Sequence, residues 1–451
     1  MPQPLRRSLL AFLLALCGSA ASAPAAAQSG WPFGSSDDPL EGPVASFVRS
    51  GGYAAAYAAP TFVGASWRAG VAFEGAVHRG RFAAGLGGTL HSGDGGLYDA
   101  EADEPYDLAR LLRYARYDTP ALYARVGPPT TVTLGQGLLV RDFRTTAAWD
   151  ERTIGAEVRV RSPAVEVAAF TGDVRGGGVV GAHVEAAPAA AAASPALRSF
   201  RLGLGAVHDL GGGDLAPTGV EASARLEVLR RIGLGLSPWV SYAEYLDFGR
   251  GVGVGADLGS AEVLGTARAR LRLGLFFSDA GFSPGYVGPF YQVSNSRDRI
   301  VTAESFFEGD GPLAFAGVPL GDVEGGVDVL TEFDVAVSRA VSLFYHFRRH
   351  YGDQRLSDFS FRLALRPGFA EGFGVAVAVE RQGLGSFFSL LDDLQNQNTL
   401  VLDIDYPLAG AAHLSIRSRY GYTRLEGAAD GSGRFLVQRR FEPFVGLRYR
   451  F

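Results

Sequence analysis

From Thr61 to the last residue the chain is a succession of segments in which apolar and polar residues alternate. Val220, Ala222, Ala224, Leu226 and Val228 interleave with Glu221, Ser223, Arg225 and Glu227. Ala267, Ala269, Leu271, Leu273 and Leu275 interleave with Arg268, Arg270, Arg272 and Gly274. Val327, Val329, Thr331, Phe333, Val335 and Val337 interleave with Asp328, Glu332, Asp334 and Ser338. Leu400, Leu402, Ile404 and Tyr406 flank Asp403 and Asp405, and Leu414, Ile416, Tyr420 and Tyr422 flank Ser415, Arg417 and Arg419. A period of two is that of a β-strand with one apolar and one polar face. Helical periodicity is confined to "EPYDLARLLRYARYDTP", where Leu108, Leu111, Leu112 and Ala115 share a helix face. The turn-like Asp118-Thr119-Pro120 favours a hairpin there instead.

The segments run about ten residues, the length a tilted strand needs to cross a hydrocarbon layer. Short connections are expected at Arg230-Arg231, Ser338-Arg339, Arg366 to Gly372 and Pro407 to Ala411, and longer ones near 247–261, 297–325, 383–397 and 424–435. Such alternation of lengths suits up-and-down hairpins in a membrane barrel. Roughly 390 residues at about 20 per strand and connection give 16 to 20 strands. The expectation is about 18, with a few early segments folding inward as loops.

The period alone does not say which way the apolar faces look. A soluble sandwich buries them between sheets, whereas a membrane barrel turns them to lipid around a polar lumen. Export without a helical anchor favours the barrel. "MPQPLRR", "SLLAFLLALCGSA" and "ASAPAAAQSG" form the charged, apolar and small-residue parts of a secretory signal peptide. Cleavage is expected after Ala27 rather than after Ala23, because Pro24 follows the latter. Leu16 is too large for a lipoprotein signal at Cys17. No later apolar run is long enough for a membrane helix. Removing residues 1–27 takes away the only Cys and leaves 40 arginines, no lysine and 47 acidic residues, a charge of −7. That leaves no disulfide chemistry and no basic surplus for a nucleic-acid partner. Residues 28–60 read as an N-terminal periplasmic or lumenal segment, and 61–451 as the barrel.

The chain ends in "FLVQRRFEPFVGLRYRF". An alternating last strand with Tyr449 third from the end and a terminal Phe451 resembles the assembly signal of bacterial outer-membrane proteins. The resemblance implies an all-β, transmembrane, antiparallel up-and-down β-barrel in the outer membrane. Its partners would be outer-membrane lipid and the barrel-assembly machinery, with Tyr449 and Phe451 as the assembly signal. A second stretch, "LYARVGPPTTVTLGQGLLVRDFRTTAAWDERTIGAEVRV", resembles alginate-export-like and phosphate-selective porins at Arg125, Gly127, Gly135, Gly137 and Leu138. Pro128-Pro129 interrupt any continuous strand there, so residues 127–150 are expected to fold partly into the lumen as a constriction.

Catalytic and metal motifs fail on their chemistry. Gly281-Phe282-Ser283-Pro284-Gly285 matches G-x-S-x-G, but Pro284 has no N–H for an oxyanion; a tight turn is expected. In "DAEADEPYD" the acidic alternation Asp99, Glu101, Asp103 lacks the Gly and Glu of a calcium loop. "GRGVGVGADLG" lacks the βαβ setting of a nucleotide fingerprint and suits a loop or strand end. His346 and His350 stand four apart on a strand-like stretch, with no metalloprotease motif. No cofactor, metal or catalytic set is expected. If the apolar faces look outward, the pore would be lined by Arg268, Arg270, Arg272, Glu332, Asp334, Arg362, Asp403, Asp405, Arg417 and Arg419, with Arg366, Arg448 and Arg450 on the same side. The function expected is a porin-like channel or export conduit for small polar or anionic solutes. The alternatives are a surface barrel that holds polysaccharide without an open pore, and a barrel-embedded hydrolase.

Overall fold

The computed structural model describes residues 51–64, 66–93, 96–98, 104–211, 216–231, 234–263, 267–294, 301–302, 314–315, 318–337, 341–354, 356–370, 373–384, 398–426 and 434–451. The expected signal peptide and residues 28–50 lie outside them.

The wall begins with β1 (Gly51–Val63), β2 (Ser66–Arg79), β3 (Phe82–His91), β4 (Leu112–Asp118), β5 (Leu122–Gly127), β6 (Gly155–Arg161), β7 (Val165–Thr171), β8 (Val179–Ala186) and β9 (Arg201–Asp209). It continues through β10 (Thr218–Arg225), β11 (Leu229–Arg231), β12 (Leu234–Tyr245), β13 (Gly249–Val263) and β14 (Ala267–Ser278). A two-residue hairpin, β15 (Val301–Thr302) with β16 (Ala314–Phe315), stands apart from the wall. The wall resumes with β17 (Gly326–Val337), β18 (Val341–Tyr351), β19 (Ser357–Ala370), β20 (Phe373–Leu384), β21 (Asn398–Ala409), β22 (Ala412–Glu426) and β23 (Arg434–Arg450).

Each strand pairs antiparallel with its sequence neighbours, and β1 pairs with β23 to close the ring, Tyr53 opposite Arg450 and Val63 opposite Arg440. β10 and β11 both pair with β12 and act as one strand with a break, so the wall has twenty strands. That is the upper end of the expected range rather than 18. Two differences explain the excess. β1 starts at Gly51, so the barrel begins inside the stretch assigned to 28–60. A long loop was expected near 247–261, where residues 249–263 form β13. The alternate glycines of β13 face inward: a Cβ on Gly253 would sit 2.7 Å from the Phe276 ring, and one on Gly251 2.5 Å from that of Phe282. Val252 and Val254 take the exposed side. Glycine here makes room for aromatics.

Strands also reach further into the expected turns. Arg230-Arg231 belong to β11, β19 runs to Ala370 and β21 to Ala409. β22 runs to Glu426 and β23 starts at Arg434, so the connection there is shorter than expected. "EPYDLARLLRYARYDTP" gives a one-turn helix, Tyr106–Arg110, followed by the β4–β5 hairpin.

The faces separate cleanly. Along β18, Ser342, Phe344, His346, Arg348 and His350 are buried, while Val341, Leu343, Tyr345 and Phe347 lie on the opposite face. Along β23, Arg440, Glu442 and Arg448 are buried; Val445, Leu447 and Tyr449 are exposed, as is Phe451 beyond it. Trp67, Phe73, Phe82, Leu204, Leu273 and Phe277 extend the exposed apolar belt around the wall. Tyr422 departs from the expected outward face. A register shift between Gly421 and Thr423 turns it inward, where it is fully buried against Phe290. The connections after β2, β4, β6, β13, β17, β19 and β21 span at most three residues. The opposite end carries longer ones, including 92–111, 128–154, 279–325 and 385–397.

A charge on the outward, lipid-facing side of the wall should be costly. Leu447→Arg is expected to lower unfolding free energy in lipid vesicles by about 2–4 kcal/mol if it lies near the bilayer midplane. Urea titration of the folded, heat-modifiable band would measure it, with Phe444→Leu on the buried face of the same strand as the apolar comparison.

Candidate functional site: a lumen divided by an inward segment

Residues 128–154, between β5 and β6, fold into the barrel, and nearly all of them are buried. Gly127 ends β5 at φ 142°, where a Cβ would meet the Arg113 carbonyl oxygen at 2.5 Å. Pro128 and Pro129 follow and donate nothing to a ladder. Arg125 secures the exit, its guanidinium donating to the carbonyls of Pro128 and of Arg113. Gly135 is required for close approach. It lies at φ 54°, and a Cβ there would meet Glu221 Oε1 at 2.7 Å; that oxygen accepts the Gln136 N–H at 2.8 Å. Thr131 (φ 52°) and Asp142 (φ 49°) are left-handed without being glycine. The Asp142 N–H is held by Thr133 Oγ1 at 3.0 Å.

The segment is tied to the wall around most of its circumference. Arg141 pairs with Glu332 of β17 at 2.8 Å, Arg144 with Glu380 of β20, and Asp150 with Arg440 of β23. Gln136 Oε1 accepts from Arg272 of β14 at 2.7 Å, and Tyr245 of β12 donates to the Leu139 carbonyl at 3.0 Å. Asp150 also accepts from Thr423 of β22 at 2.5 Å, and the Trp149 indole donates to Thr89 of β3 at 3.0 Å. A second inward piece, residues 281–294, zips onto the first. Gly285 and Val287 donate to the carbonyls of Leu138 and Leu139, and Arg141 donates back to that of Val287. The G-x-S-x-G stretch lies in this piece as a turn, with Ser283 Oγ accepting from Arg348 at 3.4 Å. Tyr291 donates to Asp209 at 2.7 Å, and burial, reinforced by that carboxylate, pushes its phenol well up.

Together the two pieces fill part of the lumen with an apolar core. Leu138, Leu139, Val140 and Phe143 pack with Phe282, Val287 and Tyr291 against Phe170, Trp239 and Phe276 of the wall.

The other part is ionic. Glu74 of β2 accepts from Arg113 at 2.6 Å, from Arg417 at 2.8 and 3.0 Å, from Arg448 at 3.1 Å and from Tyr57 at 2.7 Å. Asp403 pairs with Arg417 at 3.2 Å, Asp405 with Arg448 at 3.0 Å and also with Arg450. Of the other residues expected to line a pore, Arg272, Glu332 and Arg362 are buried on the inward face, Arg362 on Glu380 at 2.6 Å. Arg270 meets Asp257 at 3.3 Å and stands opposite Asp334. Arg419 reaches Glu442 at 3.5 Å. Arg268 and Arg366 occupy strand positions, and their side chains lie outside the described residues, as do Asp99, Glu101 and Asp103.

Sequence reasoning missed Glu74, Arg113, Arg141, Asp150, Glu380, Arg440 and Glu442. Glu74 and Glu380 interrupt apolar alternation in "VAFEGAV" and "VAVAVERQ", a signal available but not used. Their partners were not readable, since Glu74 and Arg417 lie 343 residues apart.

Gaps between the inward pieces and the wall include one lined by Arg141, Asp142, Ser283, His346, Arg348 and Asp358 and two beside Trp149. Of those two, one is lined by Thr146, Thr399, Val401, Tyr420 and Arg440, the other by Tyr57, Glu74, Arg113, Arg417 and Phe444; Trp149 and Arg419 line both. Ionised side chains on these two linings are four arginines and one carboxylate.

A closed wall, apolar outside and ionic within, has one solvent that suits it. The chain is a closed transmembrane β-barrel. No family model and no curated protein sequence matches it. Solved structures similar to it include OpdL of Pseudomonas aeruginosa, 10% identical over 89% of this chain and 99% of that one, with a TM-score of 0.33. OpdF of the same organism, in complex with glucuronate, is 12% identical over 89% and 96%, TM-score 0.33. Wzi of Escherichia coli, a carbohydrate-binding barrel involved in capsule assembly, is 10% identical over 90% and 85%, TM-score 0.34.

Cutting one tie should loosen the barrel and its inward segment together. Asp150→Ala removes an acceptor of the buried Arg440 and is expected to cost about 3–5 kcal/mol. Limited trypsin digestion of folded protein should then cleave at Arg141, Arg144 or Arg152, sites shielded in the parent.

Proposed function

We propose that this barrel is a narrow porin-like channel for small polar and anionic solutes. The observation that carries this is the charge on the two gaps beside Trp149, four arginines to one carboxylate, beside a half-lumen closed by packed side chains. Arg113 and Arg417 share Glu74, the one carboxylate on the linings, while Asp150, Asp403 and Glu442, which pair with Arg440, Arg417 and Arg419, stand outside both, so guanidinium edges outnumber carboxylates toward a solute in the gaps. Guanidinium offers a planar fork of donors that matches carboxylate or phosphate. The longer connections stand at the end that such barrels turn outward, and the short turns and both strand termini at the periplasmic end. Arg270, Arg272, Glu332, Asp334, Arg362, Asp403, Asp405, Arg417 and Arg419 act here as lumen charges. Tyr449 and Phe451 act as the assembly signal, at the β23 end that closes on β1 through Gly52 and Phe451.

A second reading, a surface barrel that holds polysaccharide on a filled lumen, draws on the apolar core of the two inward pieces. Among the described residues, Ser283 is held by an arginine rather than by a base.

Planar-bilayer recording with purified protein separates the readings. The channel should give small unit steps with an anion-over-cation preference read from the reversal potential. Arg417→Gln should lower that preference by about twofold. A silent bilayer from correctly folded protein, together with retention on immobilised acidic polysaccharide, would establish the second reading instead.

A further inference from the structure

We propose that Trp149 is the gate between the two gaps and that Arg419 is its selectivity partner; this rests on the channel reading above. The indole is a septum: it and Arg419 are the side chains shared by both linings. It lies between two guanidinium planes, with Arg152 Cζ 3.9 Å and Arg419 Cζ 4.0 Å from the indole ring. Its remaining polar tie is the bond from Nε1 to Thr89 at 3.0 Å.

The backbone beneath is fixed. Ala148 bridges Tyr422 of the wall, Asp150 is held by Arg440 and Thr423, and the Trp149 carbonyl accepts from Arg152 at 2.7 Å. The anchor is thus held independently of the ring.

The Arg419 guanidinium reaches Glu442 at 3.5 Å, and Arg440 holds the same carboxylate at 2.9 Å. A flat guanidinium keeps one face on an aromatic ring while its edge donates to an anion. An arriving carboxylate or phosphate group takes the Arg419 edge in place of Glu442, and the indole leaves Thr89 to let it pass toward Arg417 and Arg113. The permeant implied is a solute with one compact anionic head, small enough to follow it past an indole.

The experiment compares wild type with Trp149→Ala, Trp149→Leu and Arg419→Lys in planar bilayers, using chloride, acetate and inorganic phosphate as probes. Heat-modifiable migration first establishes that each variant is folded. Trp149→Leu keeps bulk but has neither ring face nor N–H, so it serves if the alanine variant does not assemble. Both Trp149 variants should raise unit conductance, the alanine by about threefold. Arg419→Lys, which keeps the charge and loses the fork and the flat stack, should lower acetate and phosphate permeation relative to chloride by about twofold. A conducting wild type whose Trp149 variants match it in conductance and selectivity overturns the gate and leaves the channel standing. A silent wild type overturns both.

Discussion

Hydrocarbon offers no partner for a peptide N–H or carbonyl, and the whole molecule follows from that constraint. A sheet in lipid must close, and here closure falls to β1 and β23, whose pairing runs from Tyr53–Arg450 to Val63–Arg440. Beyond β23, Phe451 still exchanges backbone hydrogen bonds with Gly52, at 2.9 and 2.7 Å. Once the ring is closed, period-two alternation sorts every strand without further instruction: side chains of one parity meet lipid and those of the other meet the interior.

The interior then has its own problem. Some twenty strands enclose far more volume than their inward side chains fill, and many of those side chains are charged. The chain answers with residues 128–154 and 281–294, which bring apolar surface to one part of the lumen and counter-charges to the rest. Arg141, Arg144 and Asp150 each meet an opposite charge on a different wall strand. A buried ion pair adds little net stability over an apolar pair, but a buried charge without its partner is strongly destabilising. The pairs therefore fix where the segment lies more than they hold the barrel together. Beside Trp149 they leave open a strip along β1–β4 and β21–β23, where guanidiniums outnumber carboxylates on the linings.

Much of this was legible in the residues. The alternation in β17, β21 and β23 marked strand and parity, because a one-residue slip would put charges such as Asp328, Glu332 or Arg448 on the apolar face. Pro128-Pro129 after a glycine marked the inward turn, since neither proline donates to a ladder. Other features misled. The glycines of β13 look like a loop until Phe276, Phe282 and Trp239 are seen filling the space beside them. Tyr422 fits the outward series until a bulge at Gly421 reverses its side. The second inward piece, 281–294, was missed: Gly281–Gly285 reads as a tight turn and "YVGPFYQV" after it as strand-like, whereas Tyr291–Ser294 forms a helical turn.

The sequence by itself determined the all-β class, the apolar strand faces and the break after β5, because these depend on near neighbours: the parity of side chains along a strand and the missing N–H of proline. The tertiary structure alone decided which charges meet, that Glu74 gathers Arg113, Arg417 and Arg448, and that Trp149 stands between Arg152 and Arg419. Those contacts join residues tens to hundreds of positions apart across a lumen, and their geometry exists only after the ring has closed.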